Sequence, residues 1–235
     1  MSFHLYIKLR TIRIKSDKKI GDIYNILVTG VGGQGVVLLG NILREYGLRS
    51  NLIKNVVGTE TKGVSQREGS VVATIRYLID GKVYSLDQKY EEEDLISPTI
   101  PINDAHLVLG LEPLETLRNI KYISEKTVVI LNTHQVYPRN VIIKSVESKS
   151  YPSIAEIIEL MDQFARRVVS MDFHEFSNAR LKNSVYANSM ILGAGAREFS
   201  GIFAKELLIE IINHFLKGSH ENIEAFNIGY DLINI

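Results

Sequence analysis

The stretch Ile26-Leu27-Val28-Thr29-Gly30-Val31-Gly32-Gly33-Gln34-Gly35-Val36-Val37-Leu38-Leu39 passes from one apolar run, through a glycine-rich turn, into another. That order predicts a buried parallel strand, a tight turn and a helix. Glycine adopts backbone angles that other residues resist and lets a ligand or another chain approach, while a helix N-terminus offers unpaired N–H groups that suit phosphate. The spacing Gly30-x-Gly32-x-x-Gly35 meets the dinucleotide fingerprint, which also needs an acidic residue closing the next strand to hold a ribose. The next strand candidate, 52–57, ends in Val56-Val57-Gly58, and Glu60 reads as part of the following loop. The fingerprint is therefore incomplete.

Outward from the turn, Val36, Leu39, Leu43 and Tyr46 fall at helical spacing, and Gly47 supplies an end for that helix. Residues 51–57 read as a second strand and 70–79 as a third, with Asp80-Gly81 as a two-residue hairpin signal leading into 82–85. Residues 105–109 and 127–131 are short buried strands around a helix near 113–122, where Pro113 fits the first turn, which makes a βαβ unit. Ser153 caps a helix carrying Ile154, Ile157, Ile158 and Met161 on one face, 168–173 returns as a strand, and helices fill most of the rest. The expected fold is α/β: a three-layer, Rossmann-like sandwich with a mainly parallel sheet, an antiparallel hairpin addition and a helical C-terminal region.

The loop after the second strand is rich in hydrogen-bonding groups. Lys62 and Arg67 flank it at the carboxyl end of a strand, the edge where open α/β sheets place ligands, and could neutralise a phosphate or an acidic partner. Thr61, Ser65 and Gln66 add donors, and the Gln34 amide at the helix start could bond a ligand or a facing subunit. The candidate binding set is Gly30, Gly32, Gly33, Gln34, Gly35, Thr61, Lys62, Ser65, Gln66 and Arg67. Gly58-x-x-x-x-Gly63 imitates a P-loop, but Val64 stands where lysine must reach the phosphates, which argues against a kinase or ATPase.

Val28 to Gly35, paired with Gly63-Val64-Ser65-Gln66-Arg67-Glu68-Gly69-Ser70, resembles the gamma-type subunit of 2-oxoacid:ferredoxin oxidoreductases, and within them the indolepyruvate beta-subunit type. Leu111-Glu112-Pro113-Leu114-Glu115, Asn188 to Ala194 and Ala225-Phe226-Asn227-Ile228-Gly229-Tyr230 also look like segments of that family, so the resemblance runs from about Tyr24 to the C-terminus. Glu68 departs from it, standing where many relatives have a second glycine after the arginine.

The resemblance implies a subunit supporting oxidative decarboxylation of a 2-oxoacid, indolepyruvate or another aryl pyruvate, to acyl-CoA, with ferredoxin taking the electrons. Thiamine diphosphate and the iron–sulfur clusters would belong to a larger alpha-type partner, with no cofactor bound by this chain alone and coenzyme A as a shared ligand at the glycine turn. The isolated chain is then expected to be inactive. Two other readings stay open: an autonomous nucleotide-binding Rossmann module, and an assembly subunit without a ligand.

Composition agrees with a passive role in redox chemistry. The chain of 235 residues has no cysteine, which excludes thiolate-held clusters, thiolate nucleophiles and disulfides within it. Lys and Arg balance Asp and Glu at 27 each, but residues 1–24 carry six basic side chains against Asp17 and Asp22. This stretch alternates Leu5, Ile7 and Leu9 with polar residues and lacks aromatic interleaving, so residues 1–23 read as a basic extension, an edge strand or leader, and 24–235 as one domain. Neither nucleic acid nor membrane is an expected partner, and a cytoplasmic location follows from the absence of a long apolar run.

No metal signature appears: His174-Glu175 lacks a second histidine at helical spacing, and His214 and His220 have no nearby ligands. Asn132-Thr133-His134 would reach the ligand edge of the sheet, with His134 read as a loop histidine. Glu91 to Asp94 reads as a solvated helix start, and the small residues of 193–196 as a core contact or a subunit interface.

Overall fold

The computed structural model describes residues 21–63, 69–80, 97–136 and 151–233. The glycine-turn reading holds. Strand β1 (Gly21–Val31) leads through the turn into helix α1 (Val36–Arg49). Then follow β2 (Ile53–Lys62), β3 (Ser70–Asp80), β4 (Leu107–Gly110), α2 (Pro113–Arg118), β5 (Val128–Asn132), α3 (Ile154–Asp162) and β6 (Arg167–Met171). Four helices close the chain: α4 (Phe173–Leu181), α5 (Ala187–Glu198), α6 (Lys205–Phe215) and α7 (Ser219–Leu232).

The sheet has six strands in the order β2-β3-β1-β4-β5-β6. Strands β1, β4, β5 and β6 pair in parallel, whereas β3 pairs antiparallel with both β1 and β2. The carboxyl ends of β1, β2, β4, β5 and β6 therefore meet at one edge, which carries the glycine turn. β1 alternates between two cores. Tyr24, Ile26 and Val28 pack with α1, α5 and α6, while Leu27 packs with Val108, Val129, Ile157 and Met161 on the face covered by α2 and α3.

Several boundaries differ from the sequence reading. Strand β1 begins at Gly21, so Asp22 and Ile23, placed in the extension, are buried sheet residues. Gly47 does not end α1. It is a contact glycine, where a Cβ would lie 2.8 Å from Tyr77 and 2.9 Å from Val56. Strand β2 runs on to Lys62, so Glu60, Thr61 and Lys62 are strand residues, held there by pairing with Ala73, Val72 and Val71.

Helix α2 stops at Arg118 because Asn119 turns back, its amide donating to the Glu115 carbonyl at 2.8 Å. Asp172 and Phe173 leave the β6 strand, since the Asp172 carboxylate caps α4 by accepting from Glu175 N at 2.8 Å. Ser153 caps α3 in a reciprocal box with Glu156, as its sequence position suggests. The small residues of α5 serve the core: a Cβ on Gly195 would meet Leu109 at 2.8 Å, and one on Gly193 would meet the α7 backbone. The 82–85 strand and the Glu91–Asp94 run lie outside the described residues.

At the opposite, amino edge of the sheet sits a buried polar network. His106 Nδ1 accepts from Asn25 N at 3.1 Å, and Arg76 Nε donates to Asn25 Oδ1 at 2.8 Å. Burial, helped by Lys126, lowers the His106 pKa to about 4. Between that value and the ordinary histidine value the unfolded chain binds the extra proton and the folded chain does not, so stability is full above about pH 6.5 and falls as pH drops toward 4. Parent protein should lose about 2 kcal/mol more than His106→Gln between neutral pH and about pH 4.5. Urea titrations of both proteins at the two pH values test this, and equal losses would refute it.

Candidate functional site

The site grows from the first turn of α1. Gly33 and Gly35 hold φ of +96° and +90°, angles that only glycine adopts without strain. Gly32 N donates to the Gly69 carbonyl at 2.8 Å, tying the turn to the start of β3. The glycines divide by role. A Cβ on Gly30 would lie 2.8 Å from Gln34 Oε1 and 2.9 Å from Val36, and one on Gly35 would lie 2.5 Å from the Asn188 amide, so both are packing glycines. Gly33 has nothing within 4 Å of a Cβ, and there a ligand can reach the backbone. Among the described residues, none accepts from the first-turn N–H groups of Val36, Val37 and Leu38, and Gly35 provides no side-chain cap.

The Gln34 amide is used inside the protein. Its Oε1 accepts from Val31 N at 2.7 Å and its Nε2 donates to the Leu111 carbonyl at 3.4 Å, while Asn188 Nδ2 donates to Gln34 O at 2.6 Å. Gln34 thus clamps the turn, and it also lines the larger of the two clefts beside it. Leu111 O also accepts from Asn132 Nδ2 at 3.3 Å, which links the turn to the end of β5.

Two clefts flank the turn. One, of about 440 Å³, lies between Gly32, Gly33, Asn41, Val71 and Lys62. Lys62 is thus brought to the turn, although it stands on β2, two strands away from β1. Thr61, its neighbour on an alternating strand, points to the other face and lines neither cleft. Ser65, Gln66 and Arg67 lie outside the described residues. Glu60, the acid nearest the ribose position of a dinucleotide fold, pairs with Arg44, and β3 stands between its strand and β1.

The other cleft, of about 500 Å³, runs from Gly33 and Gly35 past Asn188 and Leu192 to His134 and His174. The two imidazoles, 40 residues apart in sequence, stack with centroids 4.4 Å apart and planes inclined by 19°. His134 Nδ1 is 3.5 Å from Asp172 Oδ2. Asn132, fully buried, accepts at Oδ1 from Phe173 N at 3.0 Å and from His134 N at 3.3 Å, and its Nδ2 lies 2.8 Å from His174 Nδ1. Burial, with the neighbouring His134, holds the His174 pKa below the ordinary value against the opposing charge of Asp172.

Ligand-type atoms of His134, Asp172 and His174 fall within 4.8 Å of one another. Imidazole lone pairs lie in the ring planes, however, and planes so nearly parallel do not converge on one ion. The trio is a polar cluster of two stacked imidazoles beside one carboxylate. Sequence reading missed the pairing because a helical-spacing search looks for a partner on the same element, whereas His134 comes from the end of β5. Asn132 and Asn188 were missed as anchors. The signals present were a polar residue closing an apolar strand and the first residue of a family-like segment.

Glu112, in another such segment, is also structural. Its carboxylate caps α2 by accepting from Glu115 N at 2.7 Å and accepts from the Tyr151 hydroxyl, and burial raises its pKa.

Comparison with known proteins agrees with this architecture. Residues 25–232 match the family described as pyruvate ferredoxin/flavodoxin oxidoreductase. The indolepyruvate oxidoreductase subunit IorB of Archaeoglobus fulgidus is 32% identical over 210 residues, covering 88% of this chain and 94% of that protein. Among solved structures, the gamma subunit of a keto/oxoacid ferredoxin oxidoreductase from Geobacter sulfurreducens superposes with a TM-score of 0.57 at 16% identity, over 90% of this chain and 98% of that one. A 2-oxoglutarate:ferredoxin oxidoreductase from Magnetococcus marinus, solved with 2-oxoglutarate, coenzyme A and succinyl-CoA bound, gives a TM-score of 0.59 at 16% identity, over 93% of this chain and 32% of that one. The expected α/β fold is thereby confirmed, and the chain belongs to the pyruvate ferredoxin/flavodoxin oxidoreductase family, as a relative of its IorB-type small subunits.

Proposed function

We propose that this chain is the small subunit of an indolepyruvate-type ferredoxin oxidoreductase, and that its glycine turn holds a phosphate of coenzyme A beside an active site on a larger partner. The partner would carry thiamine diphosphate and the iron–sulfur clusters and would pass electrons to ferredoxin. The diphosphate cofactor supplies the electron sink for the carbon chemistry, and protein groups supply binding and electrostatics. This chain has no cysteine to ligate a cluster, which suits a supporting role. A cytoplasmic location suits such a complex, and no helix of the described residues is long and apolar enough to cross a membrane.

One observation carries the ligand reading: the first turn of α1, whose N–H groups find no acceptor among the described residues, opens onto a cleft whose far wall bears Lys62. Oriented N–H groups and a cation favour an anion, and glycine at 33 lets it approach the backbone. An autonomous dinucleotide module fits less well, since Glu60 is engaged by Arg44.

The test is reconstitution. Alone, the chain should give no turnover with indolepyruvate, coenzyme A, thiamine diphosphate and an electron acceptor; co-expressed with the large subunit, it should complete an active enzyme. In that complex, Lys62→Gln should raise the apparent KM for coenzyme A by about three- to tenfold with assembly intact. Turnover by the isolated chain would refute the subunit role. An unchanged coenzyme A dependence would remove Lys62 from the site.

A further inference from the structure

Asn132 is fully buried at the end of β5, and its amide has no freedom of orientation. Oδ1 accepts from two backbone N–H groups, those of Phe173 and His134, and Nδ2 donates to the Leu111 carbonyl. Rotating the amide would set donor against donor and acceptor against acceptor at all three contacts. The remaining Nδ2 proton thus faces His174 Nδ1 at 2.8 Å, and that nitrogen must be the acceptor. In neutral imidazole the proton then sits on Nε2, which points nearly the opposite way, away from the buried amide. The His174 ring lines the cleft of about 500 Å³. Among the described residues, none accepts from its Nε2–H.

We propose that His174 is a binding residue, presenting Nε2–H to an oxyanion of a small phosphate- or carboxylate-bearing ligand in this cleft, and that Asn132 sets its tautomer. Protonating Nδ1 would break the Asn132 contact, in keeping with the lowered basicity of the ring. His174 is therefore a fixed neutral donor through the neutral pH range, able to hold an oxyanion without changing its own charge. This assignment goes beyond the coenzyme A reading, because it rests on His174 and Asn132 and not on the glycine turn.

Histidine-labelled full-length chain allows the tautomer to be read directly from two-bond nitrogen–proton correlations. His174 should be neutral with the proton on Nε2 at neutral pH. Inorganic pyrophosphate and pyruvate, titrated separately, distinguish phosphate from carboxylate: one of them should shift the His174 Nε2 resonance saturably. His174→Gln keeps an N–H donor and should bind within about threefold of the parent, whereas His174→Leu should weaken binding about tenfold or more. A proton on Nδ1, no response to either anion at about 10 mM, parent-like binding by the leucine variant, or equal loss in the glutamine variant would each overturn the proposal. If the leucine variant does not fold, the parent tautomer and the glutamine variant decide.

Discussion

Gly229→Ala is expected to cost at least about 3 kcal/mol of stability or to prevent folding, the upper end of what overpacking does in a closed core. A Cβ at this position would lie 2.0 Å from the Met190 carbonyl oxygen and 2.6 Å from the Met190 Cα and carbonyl carbon. The contact is reciprocal, because a Cβ on Gly193 would lie 2.1 Å from the Phe226 oxygen. Helices α5 and α7 thus cross backbone to backbone, and relief would require the helices to part, exposing the fully buried Met190, Ala194, Ala225 and Phe226. Gly40→Ala is the control: its Cβ would come 3.2 Å from Ala73 Cβ, a tight contact between small groups, and alanine gains about 1 kcal/mol of helix propensity. Urea midpoints for the three proteins measure the contrast. A Gly229→Ala midpoint equal to that of the parent would mean that the two helices are not in backbone contact.

The glycine turn should separate folding from ligand approach. Gly35→Ala places a Cβ at φ +90° and 2.5 Å from the Asn188 amide, so it adds backbone strain and breaks the bond from Asn188 to Gln34 O. A loss of about 2–4 kcal/mol is expected, with activity of the complex falling through misassembly. Gly33→Ala meets no neighbour within 4 Å and carries only the strain of its φ of +96°, about 1–2 kcal/mol. That variant should fold and assemble, yet its methyl group would occupy the open space beside Gly33 through which a ligand would approach the turn. The apparent KM for coenzyme A should then rise about tenfold while the thermal midpoint falls by only about 2–8 °C, the size of the strain alone. If Gly33→Ala left the coenzyme A dependence unchanged, the phosphate reading of the turn would fall, even with the family assignment intact.

The cysteine-free composition, the strand–turn–helix of β1 and α1, the βαβ unit of β4, α2 and β5, and the Ser153 cap of α3 were all legible in the sequence. Each is written in residues a few positions apart: glycines that permit positive φ, apolar runs of strand length, a serine three residues before a glutamate. Such local signals survive whatever the rest of the chain does. The family-like segments were equally readable as strings. Their work was not, since Asn188 serves as an anchor for the turn and Glu112 as a cap.

Only the tertiary structure decided the rest. Insertion of β3 between β1 and β2 depends on pairing along the full length of three strands, and it alone carries Glu60 away from the ribose position while leaving Lys62 across the cleft from the glycine turn. Gln34, the most plausible ligand-binding amide by position, spends its side chain on Val31 and Leu111, a choice set by a carbonyl 77 residues away. His134 and His174 become one cluster because β5 and β6 lie side by side and Asn132 bonds to both strand ends. The physical reason is that torsional preference and capping act within a turn of chain, whereas strand order and the pairing of polar groups follow from packing whole elements together, and no short window of sequence contains both partners.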